Sequence, residues 1–131
     1  VSLQCVQGDL FAPLDPLCRS FDLILSNPPY VPENEWSELS PVITKHEDPK
    51  ALLAGKDGLD MIRRIIPESC QHLRPGGMLA MELGEEQFDV VALLMEANGF
   101  ERVTAALDLA GIKRIISGIF RADDGNKTGV V

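Results

Sequence analysis

The sequence predicts an α/β layered fold in which parallel strands are joined by crossover helices and an antiparallel strand lies near the end. Three observations predict it. Short apolar runs alternate with longer segments whose apolar residues recur at helical spacing. Glycine, asparagine and proline punctuate the joins between them. The last two apolar runs are separated by too few residues for a crossover, which permits antiparallel pairing there.

Residues 3–7 alternate apolar and polar side chains and stop at Gly8-Asp9, the pattern of a short strand running into a loop. Residues 21–25 form a compact apolar run broken only by Asp22. They predict a buried strand ending at Asn27, because Pro28 and Pro29 have no N–H with which to continue a ladder. Residues 31–53 carry prolines and charges without a sustained period, too long a stretch for an idle connection, and read as a functional loop with short helical pieces. From Leu59 onward, Ile62, Ile65, Ile66, Cys70 and Leu73 recur at helical spacing, with Asp57 placed to cap the start and Gly76 to end the helix. Pro67 lies inside and is expected to kink or divide it, since its ring crowds the carbonyl of Arg63. Residues 78–83 predict the next buried strand, closed by Gly84. Phe88, Val91, Ala92, Leu94 and Met95 make a second amphipathic helix that stops at Asn98-Gly99. Residues 100–107 and 114–120 are the two final strands. Residues 1–121 thus read as one domain portion and the polar residues 122–131 as a flexible tail.

A chain of 131 residues bounds the answer to a single core. With 45% hydrophobic and 24% charged residues it has the composition of a folded soluble protein rather than a disordered one. A net charge of -8 disfavours tight non-specific binding to nucleic acid, which needs clustered Lys and Arg, and fits a basic protein partner better. Cys5, Cys18 and Cys70 lack C-x-x-C spacing and read as buried free thiols in a reducing compartment. No apolar stretch approaches the ~20 residues of a membrane span, and no basic-then-apolar leader opens the chain. A cytoplasmic location is the expectation. His46 and His72 have no Cys or acidic partner at metal spacing, so no metal site is predicted.

In sheets of this kind ligands gather at the carboxyl ends of strands. That expectation collects Asp9, Asn27, Pro28, Pro29, Tyr30, and Glu82 to Gly84 at one rim. The run Asn27-Pro28-Pro29-Tyr30 has chemical content of its own. Two prolines restrict φ and hold the Pro28 carbonyl outside regular structure, where it can accept from a ligand. Asn27 adds a side-chain carbonyl beside it, and Tyr30 offers a flat ring for stacking. Two acceptors a few ångströms apart suit a planar NH2 group, an amide or a ring amine, whose poor nucleophilicity is overcome by orientation. The plain alternative is a strand-to-loop breaker with a buried tyrosine. Glu82 reads as a scaffold carboxylate accepting from backbone N–H groups, with general base as the alternative. Glu47 reads as solvated or structural, with a gating role as the alternative.

The chain resembles the HemK-type (PrmC-type) protein-(glutamine-N5) methyltransferases. Gly8-Asp9-Leu10-Phe11, Asn27 through Pro32, His46-Glu47-Asp48-Pro49, Ala51-Leu52, Asp57-Gly58-Leu59-Asp60, Leu73-Arg74-Pro75-Gly76-Gly77 and Glu82-Leu83-Gly84 occur in that family's order and spacing. Asp108-Leu109-Ala110-Gly111 followed by Arg114 is similar to its last hairpin. The resemblance implies an incomplete Rossmann-like class I methyltransferase sheet with flanking helices and a C-terminal antiparallel strand. It implies methyl transfer from S-adenosylmethionine to the glutamine side chain in the Gly-Gly-Gln loop of class I peptide-chain release factors. By the same mapping Asn27 and Pro28 would be catalytic, Asn27, Pro28, Pro29 and Tyr30 would hold the glutamine amide, and Asp9, Leu10 and Asn27 would border the cofactor.

The family's Gly-rich loop and the acidic residue that binds the ribose do not occur in this sequence, so S-adenosylmethionine binding by this chain alone is expected to be weak or absent. The chain is accordingly expected to be a fragment, inactive alone. A non-catalytic remnant or binding module of the same fold is the alternative, as is an amino-methyltransferase acting on RNA or DNA, against which the acidic charge argues. In the family's strand order, residues 3–7 lack their neighbours. They are expected to be poorly ordered, to pair with residues 23–25, or to pair with another copy of the chain through an exposed sheet edge.

Overall fold

A computed structural model describes residues 1–15, 21–30 and 58–121. Strand β1 (Phe21–Ser26) is followed by helix α1 (Asp60–Ser69), strand β2 (Leu73–Glu82), helix α2 (Phe88–Ala97) and the strands β3 (Phe100–Leu107) and β4 (Lys113–Phe120). They form one mixed sheet in the order β1-β2-β4-β3. β1 and β2 are parallel, with Leu23 opposite Met78 and Ser26 opposite Met81. β4 runs antiparallel to both neighbours, placing Ile115 beside Glu82 on one side and Ala106 on the other. This is the α/β sheet, ending in an antiparallel strand, that the alternating pattern predicts.

Both helices contribute to one core. Ile62, Ile65 and Ile66 of α1, and Val91 and Met95 of α2, are buried with Leu79, Met81, Ile116 and Phe120 of the sheet. Burying each such side chain is worth about 1.5–3 kcal/mol. Gly118 makes room for α2, since a Cβ there would lie 2.8 Å from Cε of Met95. Alternate residues point the other way, and there Leu23, Leu25, Met78 and Ile115 are exposed. β1 is therefore not the buried strand its apolar run predicts, because one face and one edge of it lack a neighbour among the described residues.

Further expectations change. Residues 3–7 form no strand and are exposed throughout, because an alternating pattern needs a partner ladder to become one. Cys5 is correspondingly exposed, while Cys70 is half-buried and its Sγ donates to the carbonyls of Ile66 and Asn98. α1 passes through Pro67 undivided, with the proline in its last turn, and ends at Ser69, whose hydroxyl donates to the carbonyl of Ile66. Gly76, expected as the helix stop, sits instead in β2 at φ +81, inside a bulge that sets Phe21 opposite Leu73 but Leu23 opposite Met78. The N-cap of α1 is Leu59, with no side-chain hydrogen bond. Asp57, the 31–53 loop with Glu47, Cys18 and the 122–131 tail lie outside the described residues. The second helix and the last two strands follow their predicted limits to within one residue.

Candidate active site at the strand ends

Parallel pairing brings the carboxyl ends of β1 and β2 side by side, with Asn27 following the first and Glu82 ending the second. Asn27 is exposed, Pro28 is buried, and Pro29 and Tyr30 are half-buried. The Tyr30 hydroxyl donates to Oε1 of Glu82 at 3.1 Å. Burial first, and then the charge and hydrogen bond of Glu82, hold the Tyr30 phenol above its ordinary value, while the charge of Arg114 pulls it down. The phenol is thus a neutral donor to a carboxylate. Glu82 keeps a scaffold place, but the group it receives is a side-chain hydroxyl rather than a backbone N–H.

The Tyr30 main chain is held from the other side. Gln87, at the N-cap of α2, donates from Nε2 to the Tyr30 carbonyl at 3.0 Å and to the Gly58 carbonyl at 3.4 Å. Its Oε1 accepts from the N–H of Gly84 at 2.9 Å. Gly58 and Gly84 are glycine for a spatial reason. A Cβ on Gly58 would collide with the Tyr30 carbonyl, and one on Gly84 would lie 2.9 Å from Cδ2 of Tyr30. Gly58 also has φ +78, which other residues rarely adopt.

The β3–β4 hairpin closes the same end. Asp108 accepts from the N–H groups of Ala110 (2.8 Å) and Ile112 (3.0 Å) and from Nε of Arg114 (3.0 Å). These bonds, the Ile112 N–H foremost, lower the Asp108 carboxyl below its ordinary value. The Arg114 carbonyl accepts from the N–H of Leu83, one residue beyond β2. Between the strand ends an open hollow of about 320 Å³ is lined by Leu25, Asn27, Ala80, Glu82 and Ile115 among others.

Asp9 and Leu10 are not joined to this rim. Asp9 pairs with Nη2 of Arg64 at 2.8 Å, Leu10 packs against the core, and Phe11 stacks on His72 beside the start of β2. The turn therefore lies along α1 toward the opposite end of the sheet. Gln87 is the residue the motif reading missed. Its signal was its place three residues after Gly84, where a glutamine opening a helix can reach back to the turn before it. Among the described residues no cluster of His, Cys, Asp and Glu could hold a metal, and no helix is long and apolar enough to cross a membrane.

The sheet and its rim define a class. The backbone superposes on one chain of the E. cuniculi Mtq2–Trm112 complex, described as responsible for the methylation of the eRF1 translation termination factor, with a TM-score of 0.56 and 24% identity, covering 88% of this chain and 60% of that one. It superposes on a methyltransferase from Pyrococcus furiosus with a TM-score of 0.51 and 17% identity, covering 77% and 41% of the two chains. The described sheet matches part of the class I methyltransferase fold.

Sequence likeness narrows the class. The chain is 43% identical over 112 residues to a release factor glutamine methyltransferase of Gloeobacter violaceus, covering 85% of this chain and 38% of the relative. Counterparts in Prochlorococcus marinus and Geobacter sulfurreducens are each 41% identical, covering 82% and 86% of this chain and 36% and 39% of theirs. No family profile matches. Over the aligned stretch the chain belongs to the release factor glutamine methyltransferase family. It spans little more than a third of the length of these relatives.

Proposed function

We propose that this chain forms the amide-binding side of an S-adenosylmethionine-dependent protein-glutamine methyltransferase whose substrate is the Gly-Gly-Gln loop of class I release factors. One observation carries the reading: Asn27-Pro28-Pro29-Tyr30 stands at the carboxyl end of β1 beside Glu82, in a chain 43% identical to an enzyme of that name. The side-chain carbonyl of Asn27 and the main-chain carbonyl of Pro28 accept the two N–H bonds of the glutamine amide. Its lone pair is delocalised and a weak nucleophile, so fixing both hydrogens supplies the orientation that attack requires. Tyr30 lies flat against the amide, its ring held by Glu82 at the phenol and by Gln87 at the carbonyl.

S-adenosylmethionine, when bound, supplies the electrophilic methyl group. Asn27 fits its margin, since the exposed amide borders the hollow at the strand ends. Asp9 and Leu10, expected to border the cofactor, lie along α1 away from the rim, with Asp9 paired at the surface to Arg64. Because the family's Gly-rich loop and ribose-binding acidic residue do not occur in the sequence, the 131-residue chain alone is expected to bind the cofactor weakly. A calorimetric dissociation constant at or below about 1 μM, roughly -8 kcal/mol, would contradict that. The reading as a whole is tested by incubating the complete protein that carries this sequence with labelled S-adenosylmethionine and a release factor. Label on the Gly-Gly-Gln glutamine is the expected result. A folded protein that leaves that glutamine unlabelled would sink it.

A further inference from the structure

Tyr30 is held by two side chains distant in sequence, and only one of them, Glu82, touches its phenol. The other, Gln87, acts on the main chain. It is 8% exposed and joins three backbone segments at once: the tyrosine that ends the Asn-Pro-Pro-Tyr run, the glycine before α1 and the glycine after β2. Two of those three points are glycines where a Cβ would strike Tyr30 or Gln87 itself. The space around the amide is thus cleared from both sides, and its two ends are used in opposite senses, Oε1 as acceptor and Nε2 as donor. A helix cap alone would require neither of the Nε2 bonds.

We propose that Gln87 is a positioning residue for methyl transfer, setting the Pro28 and Asn27 acceptors by locking the Tyr30 carbonyl two residues along the chain. Prolines at positions 28 and 29 fix two φ angles between the acceptors and that carbonyl and hold Pro28 extended, so part of a displacement at Tyr30 is passed to them. The inference rests on the function proposed above, and acts through Tyr30 without Gln87 meeting the substrate.

The variant Gln87→Glu separates positioning from packing. Its shape is the same and it still accepts from Gly84, but as a carboxylate it faces two carbonyls and donates to neither. Protonated, it regains one donor. Burial beside carbonyls raises its pKa above the ordinary glutamate value, so the donor returns as the pH is lowered. Tyr30, Glu82, Glu85 and Glu86 are present in both proteins, and the ratio of variant to wild type therefore isolates position 87.

In the complete protein, kcat of Gln87→Glu at about pH 8 is expected to fall roughly ten- to a hundredfold, with KM for the release factor nearly unchanged. The ratio to wild type is expected to climb as the pH is lowered, while Gln87→Met stays slow throughout. Circular dichroism verifies folding at each pH. Wild-type kcat in folded Gln87→Glu, or a ratio independent of pH, overturns the positioning role. Failure of Gln87→Glu to fold at any pH also overturns it, placing Gln87 in the scaffold alone. An inactive wild type is a separate outcome, one that sinks the function reading and this inference with it.

Discussion

Two of the polar groupings that tie loops to the described strands and helices are built differently. At the carboxyl ends of β1 and β2, Gln87 is buried and binds three backbone groups, and the half-buried Tyr30 donates to Glu82. Along α1, Asp9 meets Arg64 with 61% and 46% of their side chains exposed. Motif resemblance assigns roles to both regions. Their physics separates them, because a hydrogen bond removed from a buried group leaves its partner desolvated, at about 1–3 kcal/mol, whereas water and salt substitute readily for an exposed ion pair. The rim is held by buried hydrogen bonds, and the Asp9 turn by a surface ion pair.

The largest expected effect is at Asn27. In the complete protein, Asn27→Ala removes one of the two acceptors proposed for the glutamine amide, a contribution of about 2.7–4 kcal/mol in rate terms, and methyl transfer is expected to slow about a hundredfold or more. Melting temperature and circular dichroism must stay at wild-type values. A well-folded Asn27→Ala that methylates the release factor at the normal rate would reduce the rim to a strand terminator and erase the distinction drawn here.

Asp108 extends the contrast to the hairpin, and its effect falls on stability. Its folded pKa is depressed, so the stability it contributes is present above the ordinary aspartate value of about 3.9 and is lost as pH falls through the depressed one. Asp108→Ala removes two N–H acceptors and the Arg114 pairing. It is expected to lower the denaturation midpoint at pH 7 and to flatten the loss of stability on acidification. An unchanged acid limb in urea titrations would show that the hairpin does not depend on Asp108.

Tyr30 is the single tyrosine in the chain, which makes its ionisation directly visible by ultraviolet absorbance. Wild-type tyrosinate is expected to form above the usual value near 10, and Glu82→Gln to bring it down. The return is partial, because burial is the leading cause and remains. Since the folded pKa is the raised one, the associated stability is full below about pH 10 and lost as pH rises through the folded value. Titration curves of wild type and Glu82→Gln that coincide would mean that Tyr30 and Glu82 are not paired in solution.

The smallest effect belongs to the other grouping. Asp9→Ala is expected to shift the melting temperature slightly at low salt and not at all in about 0.5 M NaCl, where screening is nearly complete. A marked, salt-insensitive destabilisation would show that the Asp9 turn is more than a surface fastening.

Local pattern alone determined a good part of this protein. Apolar spacing marked α1, α2, β3 and β4, because burial on one face repeats at the period of the element that creates it. The strand-ending run Asn27-Pro28-Pro29-Tyr30 was legible for a similar reason, since two residues without N–H end a ladder wherever they fall. Partners across long separations were not legible. Gln87 reaches back 57 residues to Tyr30, Tyr30 forward 52 to Glu82, and Arg64 back 55 to Asp9. A polar side chain's own sequence states what it can donate or accept but not which distant group will be brought within 3 Å. Periodicity likewise could not tell that β1 lies at an edge of the sheet among the described residues, with Leu23 and Leu25 exposed, or that Gly76 makes a bulge rather than a helix stop. The neighbour on each side of a strand is settled by the order β1-β2-β4-β3, a property of the assembled sheet and of no single segment in it.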